Sequence, residues 1–95
     1  MSTITFELIA KEAIGDLKFP TSEVLSNTTE IVKRKEDLER ALKLGNVERH
    51  KIKIYFEDDS SMKAVETTVW GLTDKRVILK HGVVIPINRV YTVRV

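Results

Sequence analysis

Cysteine is absent from this chain, so neither a disulfide nor a thiolate-bound metal can support its fold. That absence fits a reducing, cytoplasmic setting. Histidine is scarce: His50 and His81 are the only two, and their separation matches no metal-ligand spacing. Asp58 and Asp59 would have to join them in space to make a metal site, and solvated loop residues are the simpler reading. No metal and no cofactor are expected. The four glycines, Gly15, Gly45, Gly71 and Gly82, stand singly, so no glycine-rich phosphate cradle exists and each reads as a turn residue. No apolar run approaches the ~18 residues of a membrane helix. The opening Met1-Ser2-Thr3-Ile4-Thr5-Phe6-Glu7 has no basic region followed by an apolar stretch, so no signal peptide is expected. There is no cysteine nucleophile and no Gly-x-Ser-x-Gly elbow. Carboxylates in a polar turn such as Asp58-Asp59 make poor acids or bases. The expectation is a protein that is not an enzyme.

What remains is a chain of 95 residues, 42% hydrophobic and 32% charged, enough for one core and one domain spanning 1–95. Charge divides it. Residues 1–48 carry seven Lys/Arg and nine Asp/Glu, whereas residues 49–95 carry nine and five. The second half is the basic half, and a basic surface suits an anionic partner.

The first half, 1–48, reads as an N-terminal strand and a helical segment. Over residues 3–9 the pattern alternates, with Ile4, Phe6 and Leu8 on one face. Period two predicts a strand, and good helix formers across residues 7–14 make a helix its rival. Gly15-Asp16 and Phe19-Pro20 are turn signals. Thr21 or Ser22 is placed to cap a short helical turn through Leu25. Asn27, Thr28 and Thr29 form the next cap. From there to Leu44 a helix is predicted, with Ile31, Leu38, Ala41 and Leu42 as its apolar stripe. Lys33, Arg34, Lys35, Glu36 and Asp37 read as a solvated, self-neutralising face. Gly45-Asn46 is placed as the left-handed C-cap.

The second half, 49–95, changes period and reads as five short strands separated by turn signals. Residues 50–57 alternate, with Ile52, Ile54 and Phe56 inward and Lys51, Lys53 and Tyr55 outward. Asp58-Asp59-Ser60-Ser61 is a turn. Residues 62–70 form the second strand, with Val65, Thr67 and Val69 opposite Glu66, Thr68 and Trp70. Residues 71–75 break it. Residues 76–80 form the third, with Val77 and Leu79 inward, and Lys80-His81-Gly82 is a tight hairpin. The fourth covers residues 83–87, where Pro86 must sit at an edge or a strand end. Asn88-Arg89-Val90 is a one-turn connection to a fifth strand with Tyr91, Val93 and Val95 on one face. Such a string predicts an α+β protein: an N-terminal strand and helix, then a small five-stranded antiparallel β-barrel of the SH3-like or Sm-like type. The N-terminal strand adds to the barrel edge or pairs with another subunit.

The segments Ile52-Lys53-Ile54-Tyr55-Phe56-Glu57-Asp58, Thr67-Thr68-Val69, Arg76-Val77-Ile78-Leu79-Lys80 and Ile85-Pro86-Ile87-Asn88-Arg89-Val90 resemble a group of small uncharacterised bacterial proteins with an SH3-like or Sm-like barrel. More distantly they resemble the Rho-binding antiterminators. The resemblance covers about the C-terminal half and implies binding of RNA or of an RNA-binding protein. Sm-like RNA chaperones carry a Lys-His pair at the final strand. Here Lys80-His81 falls one hairpin earlier, so that role is not carried over.

Cations and aromatics are the remaining signal. Lys51, Lys53 and Tyr55 share the outward face of the first barrel strand, Trp70 looks outward from the second, and Arg76 and Lys80 share a face of the third. Brought together, these six would form a nucleic-acid-binding surface that stacks bases and holds phosphates. The alternative is a plain solvated exterior with Trp70 tucked under the helix. The expected function is a non-catalytic binding module for RNA. A protein–protein interaction module or subunit of a homo-oligomer is the other reading. The hairpin expectation is directly testable: Gly82→Ala should lower stability in urea unfolding by about 1 kcal/mol, because alanine pays for a left-handed backbone.

Overall fold

The computed structural model describes residues 5–48 and 51–94. Ile4, His50 and Val95, named above, lie outside them. The elements run β1 (Glu7–Ile9), a 3₁₀ turn (Lys11–Asp16), α1 (Thr28–Glu48), β2 (Ile52–Glu57), β3 (Met62–Thr67), β4 (Val69–Leu72), β5 (Arg76–Leu79), β6 (Val84–Pro86) and β7 (Val90–Arg94). Short 3₁₀ turns at Lys80–Gly82 and Ile87–Arg89 join the last three strands.

The protein is therefore α+β, with one helix and seven strands in two sheets among the described residues. The first sheet has the order β1-β3-β2-β7, the second β4-β5-β6. Their ladders do not close into a single barrel. The expected strand over residues 62–70 is two strands. At Thr68 the chain leaves one sheet and enters the other, and the Thr68 carbonyl accepts a hydrogen bond from the Lys80 N–H at 3.0 Å instead of joining the β3 ladder. Gly71 and Leu72, expected to break the strand, continue β4, and the register against β5 shifts between Val69 and Gly71.

The inward residues meet as the alternation requires. Ile52, Ile54, Phe56, Val65, Val69, Val77, Leu79, Ile85, Val90 and Val93 form one buried cluster, joined by Leu38 and Ala41 of α1 and by Ile14. Each such side chain stabilises the fold by roughly 1.5–3 kcal/mol through burial. Tyr91 departs from its expected place on the Val93 face. The β2–β7 register shifts between Tyr55 and Phe56, so Thr92 pairs with Tyr55 while Val90 pairs with Phe56. The bulge takes up Tyr91 and lets Val90 and Val93 both point inward.

The N-terminal strand adds to the sheet edge: β1 runs parallel to β3, with Glu7 opposite Lys63 and Ile9 opposite Val65. Gly15 and Asp16 end a 3₁₀ turn whose Ile14 is driven into the core. No helical turn forms over residues 21–25, which stay irregular. Their polar groups serve long-range contacts. The Arg89 guanidinium donates to the Ser22 carbonyl at 2.9 Å and to Ser22 Oγ at 3.1 Å. Asn88 Nδ2 donates to the Thr21 carbonyl at 2.7 Å.

Asn27 is the N-cap of α1, its Oδ1 accepting the Thr29 N–H at 2.8 Å. The helix does not stop at Gly45. It continues to Glu48, and among the described glycines only Gly82 has a positive φ, at 81°. Gly45 is there for a different reason. A Cβ at this position would lie 2.5 Å from the Val69 carbonyl oxygen and 3.0 Å from a Thr68 methyl. The glycine lets the helix touch β4 backbone to backbone. Arg34 and Asp37, expected in solvent, are buried on the sheet side of the helix. At the hairpin both His81 (φ 69°) and Gly82 are left-handed, so the turn carries one more strained residue than the glycine alone suggested.

Gly45→Ala should consequently cost about 1–3 kcal/mol in urea unfolding, the range for forcing extra carbon into a packed contact. Gly15→Ala, whose Cβ would meet nothing within 4 Å, is the control and should be neutral or slightly stabilising.

Candidate nucleic-acid interface

The six residues expected to form one surface fall in three places. Lys51, Trp70 and Lys80 come together. They line a surface groove of about 600 Å³ with Gly45, Asn46 and Thr68. Alternation along β4 turns Val69 into the core and Trp70 outward, where the indole is 51% exposed. It is not covered by the helix. The left-handed turn at His81 brings the imidazole edge-on to the indole, ring centroids 5.8 Å apart at 74°. The Lys80 N–H bond to Thr68 fixes that turn beside β4. The C-terminal end of α1 borders the groove through Gly45 and Asn46. Its partial negative charge attracts Lys51 and Lys80 and offsets part of their potential.

Tyr55 and Lys53 lie on the outer face of the four-stranded sheet. Phe6 packs edge-on against Tyr55 at 4.9 Å and against Tyr91 at 5.9 Å. A second groove, about 460 Å³, is lined there by Phe6, Lys33, Asp37, Arg40, Tyr55, Thr92, Val93 and Arg94. Asp37 is paired with Lys33 at 3.1 Å and with Arg40 at 3.7 Å, so its charge is already met within the groove. The Tyr91 hydroxyl donates to the Glu57 carboxylate. That bond, with burial and the carboxylate charge, pushes the phenol above its ordinary value and keeps it protonated.

Arg76 belongs to neither cluster. It sits opposite Pro86 in the β5–β6 ladder and lines a third depression, of about 620 Å³, with Glu23, Arg34, Asp74 and Lys75, where Glu23 is already paired with Arg34. Arg76 opens β5 and Lys80 follows its end, about 13 Å away at about 3.3 Å per residue, so the two line different depressions.

Sequence reasoning missed His81 as the neighbour of Trp70, and Phe6, Arg40 and Arg94 as neighbours of Tyr55. Arg94 alternates outward with Thr92 in the last strand, a signal that was there to be read. Phe6 and Arg40 reach Tyr55 only through the fold. Asp58, expected to be an exposed turn residue, is 2% exposed. Its carboxylate accepts the N–H groups of Ser60 at 3.0 Å and Ser61 at 2.8 Å and pairs with Lys63 at 2.9 Å. It builds the β2–β3 turn. Family models, curated proteins and solved structures each return no match to this chain.

Two carboxylates make the scaffold of these grooves acid-sensitive. Burial raises the pKa of Asp58, but the Ser61 N–H, Lys63 and the Ser60 N–H together outweigh it and hold the group below its ordinary value. At Glu23 burial likewise raises the pKa, but the hydrogen bond and charge of Arg34 together with the Leu25 and Val24 N–H groups outweigh it. For groups depressed in the folded state, the stabilisation is fully present above the unfolded pKa of about 4 and is lost as pH falls through the folded value. Urea midpoints should therefore be level from neutral pH to about 5 and fall below about 4. Asp58→Asn should weaken that acid dependence while lowering stability at pH 7 by about 1–3 kcal/mol, the range for a buried hydrogen-bonded charge losing its pairing.

Proposed function

We propose that this protein is a non-catalytic module that binds single-stranded RNA through the Trp70 groove. The observation carrying this reading is a half-exposed indole set between Lys51 and Lys80. An exposed indole by itself is ordinary; flanked by two lysines it offers a stacking face and cations side by side. Stacking on an indole suits any base, and the two ammonium groups suit the adjoining phosphates. His81 braces the ring edge-on and leaves an indole face for a base. The Lys80-His81 pair thus enters the groove even though it lies one hairpin before the position it holds in Sm-like RNA chaperones. The resemblance to small SH3-like and Sm-like barrel proteins belongs to this reading, with β2, β3 running on into β4, β5, β6 and β7 counted as the five strands.

A second reading has its own observation. β1 is an edge strand of three residues whose Leu8 is 63% exposed. An edge of this kind is open to strand addition by another chain, as in a protein–protein module or a homo-oligomer.

Because Trp70 is the only tryptophan, its fluorescence reports directly on the groove. Mixed-sequence single-stranded RNA should quench it. Two lysine contacts in the groove should contribute about −1.4 to the salt slope, at about −0.7 per phosphate. Lys51→Ala with Lys80→Ala should flatten the slope by about that amount. Trp70→Ala, followed with a labelled oligonucleotide, should cost about 1–3 kcal/mol of binding with the slope unchanged. Absence of binding at about 100 μM RNA, the weak end of non-specific affinity, would remove the RNA reading and leave the β1 edge as the leading surface.

A further inference from the structure

Between the Trp70 groove and the Tyr55 groove runs the outward face of a single strand. Lys51, Lys53 and Tyr55 alternate along it while Ile52, Ile54 and Phe56 are buried. Lys51 lines the first groove and Tyr55 the second. At about 3.3 Å per residue, the two ends are about 13 Å apart. Lys53 lies midway, and its partner across the β2–β7 ladder is Arg94, which also lines the Tyr55 groove. The rigid strand therefore sets out, in order, an aromatic platform at Trp70, cations at Lys51, Lys53 and Arg94, and a second aromatic platform at Tyr55 backed by Phe6.

Resting on the Trp70 reading, we infer that the ligand is an extended single strand of at least about four nucleotides, laid along β2 so that one base stacks at Trp70 and another at Tyr55. Two aromatic platforms joined by a line of cations match a flexible polyanion with a flat base on each repeat. A double helix keeps its bases stacked and cannot offer them to two separate rings. The acids on this face do not break the line. Asp37 is held by Lys33 and Arg40. Glu57 accepts a hydrogen bond from the Tyr91 hydroxyl. Glu66, the cross-strand neighbour of Lys53 on the β3 side, offsets part of that lysine's charge and leaves Arg94 on the β7 side to carry the middle of the line. The spacing of the two platforms makes ligand length a determinant of affinity, which one stacking groove alone would not do.

The test measures binding of labelled uridine oligonucleotides of about two and about eight residues, lengths below and within the usual single-strand site size. The proteins are the full chain and its Tyr55→Leu, Arg94→Gln and Trp70→Ala variants. Tyr55→Leu keeps apolar contact with Phe6 and removes the flat ring, and Arg94 is exposed, so both should fold. The longer oligonucleotide should bind at least tenfold more tightly than the shorter. Tyr55→Leu should weaken the longer one about 5- to 150-fold. Arg94→Gln should flatten its salt slope by about 0.7. Neither should change binding of the short one, whereas Trp70→Ala should weaken both. If both lengths bind alike, or if Tyr55→Leu and Arg94→Gln leave the longer one unaffected while Trp70→Ala weakens it, the two-platform track is wrong and the Trp70 groove stands. If neither length binds, or if Trp70→Ala changes nothing, both readings fall. An eight-residue duplex binding as tightly as the single strand would also overturn the track.

Discussion

Two guanidinium groups, those of Arg34 and Arg89, carry charge to within 5% and 6% exposure of the interior, and the irregular segment before α1 depends on them. Arg34 donates to both carboxylate oxygens of Glu23, at 2.7 and 2.6 Å, and to the Val90 carbonyl at 3.0 Å. Helix, loop and last strand are thereby tied at one point. Arg89 donates to the Glu57 carbonyl at 3.1 Å as well as to Ser22, fixing the same loop to the end of β2. Taking charge out of water costs several kcal/mol per ion, so these contacts offset a penalty more than they add stability. What they supply is geometry. A loop that Leu17 and Phe19 already hold against the core is given one position over its polar residues 21–23, and the floor of the Arg76 depression follows from it. The offset is incomplete: Arg34 Nε is buried without a partner among the described residues, an omission worth about 1–3 kcal/mol.

The strands were legible because burial imposes a two-residue period, and Ile52-Ile54-Phe56 and Val77-Leu79 keep it without exception. The helix was legible over most of its length for the corresponding reason. Errors arose where one residue type serves two physical ends. A glycine after an apolar stripe reads as a left-handed cap, yet Gly45 is needed for close backbone approach, and the partner that demands it, Val69, is remote in sequence. Arg34 and Asp37 read as solvated because long polar side chains usually are. Their burial depends on Glu23, Val90, Lys33 and Arg40 meeting them, and for Glu23 and Val90 no local pattern encodes that meeting. Tyr91 was assigned by alternation, and the bulge opposite Tyr55 and Phe56 reverses it.

For the candidate site, the sequence supplied orientation but not neighbourhood. Lys51, Lys53, Tyr55, Trp70, Arg76 and Lys80 are all turned away from the core, as the period required. Which of them adjoin one another depends on the crossing at Thr68, where β3 hands the chain to the second sheet. That crossing carries Trp70 to the end of α1 and the His81 turn, and leaves Arg76 beside Pro86. A change of sheet within one apolar run has no signature at the level of period two, because both strands alternate in the same way.

The parallel pairing of β1 with β3 bears on the order in which the molecule assembles. Glu7, Leu8 and Ile9 leave the ribosome well before their partners Lys63, Ala64 and Val65, which follow only after α1 and β2. Closing so long a loop costs entropy before any ladder bond forms. The hairpins β2–β3 and β4–β5–β6 have short loops and can close early. Loop entropy therefore favours docking of the N-terminal strand last, onto an edge already formed, and only then does Phe6 take its edge-on place beside Tyr55 and Tyr91.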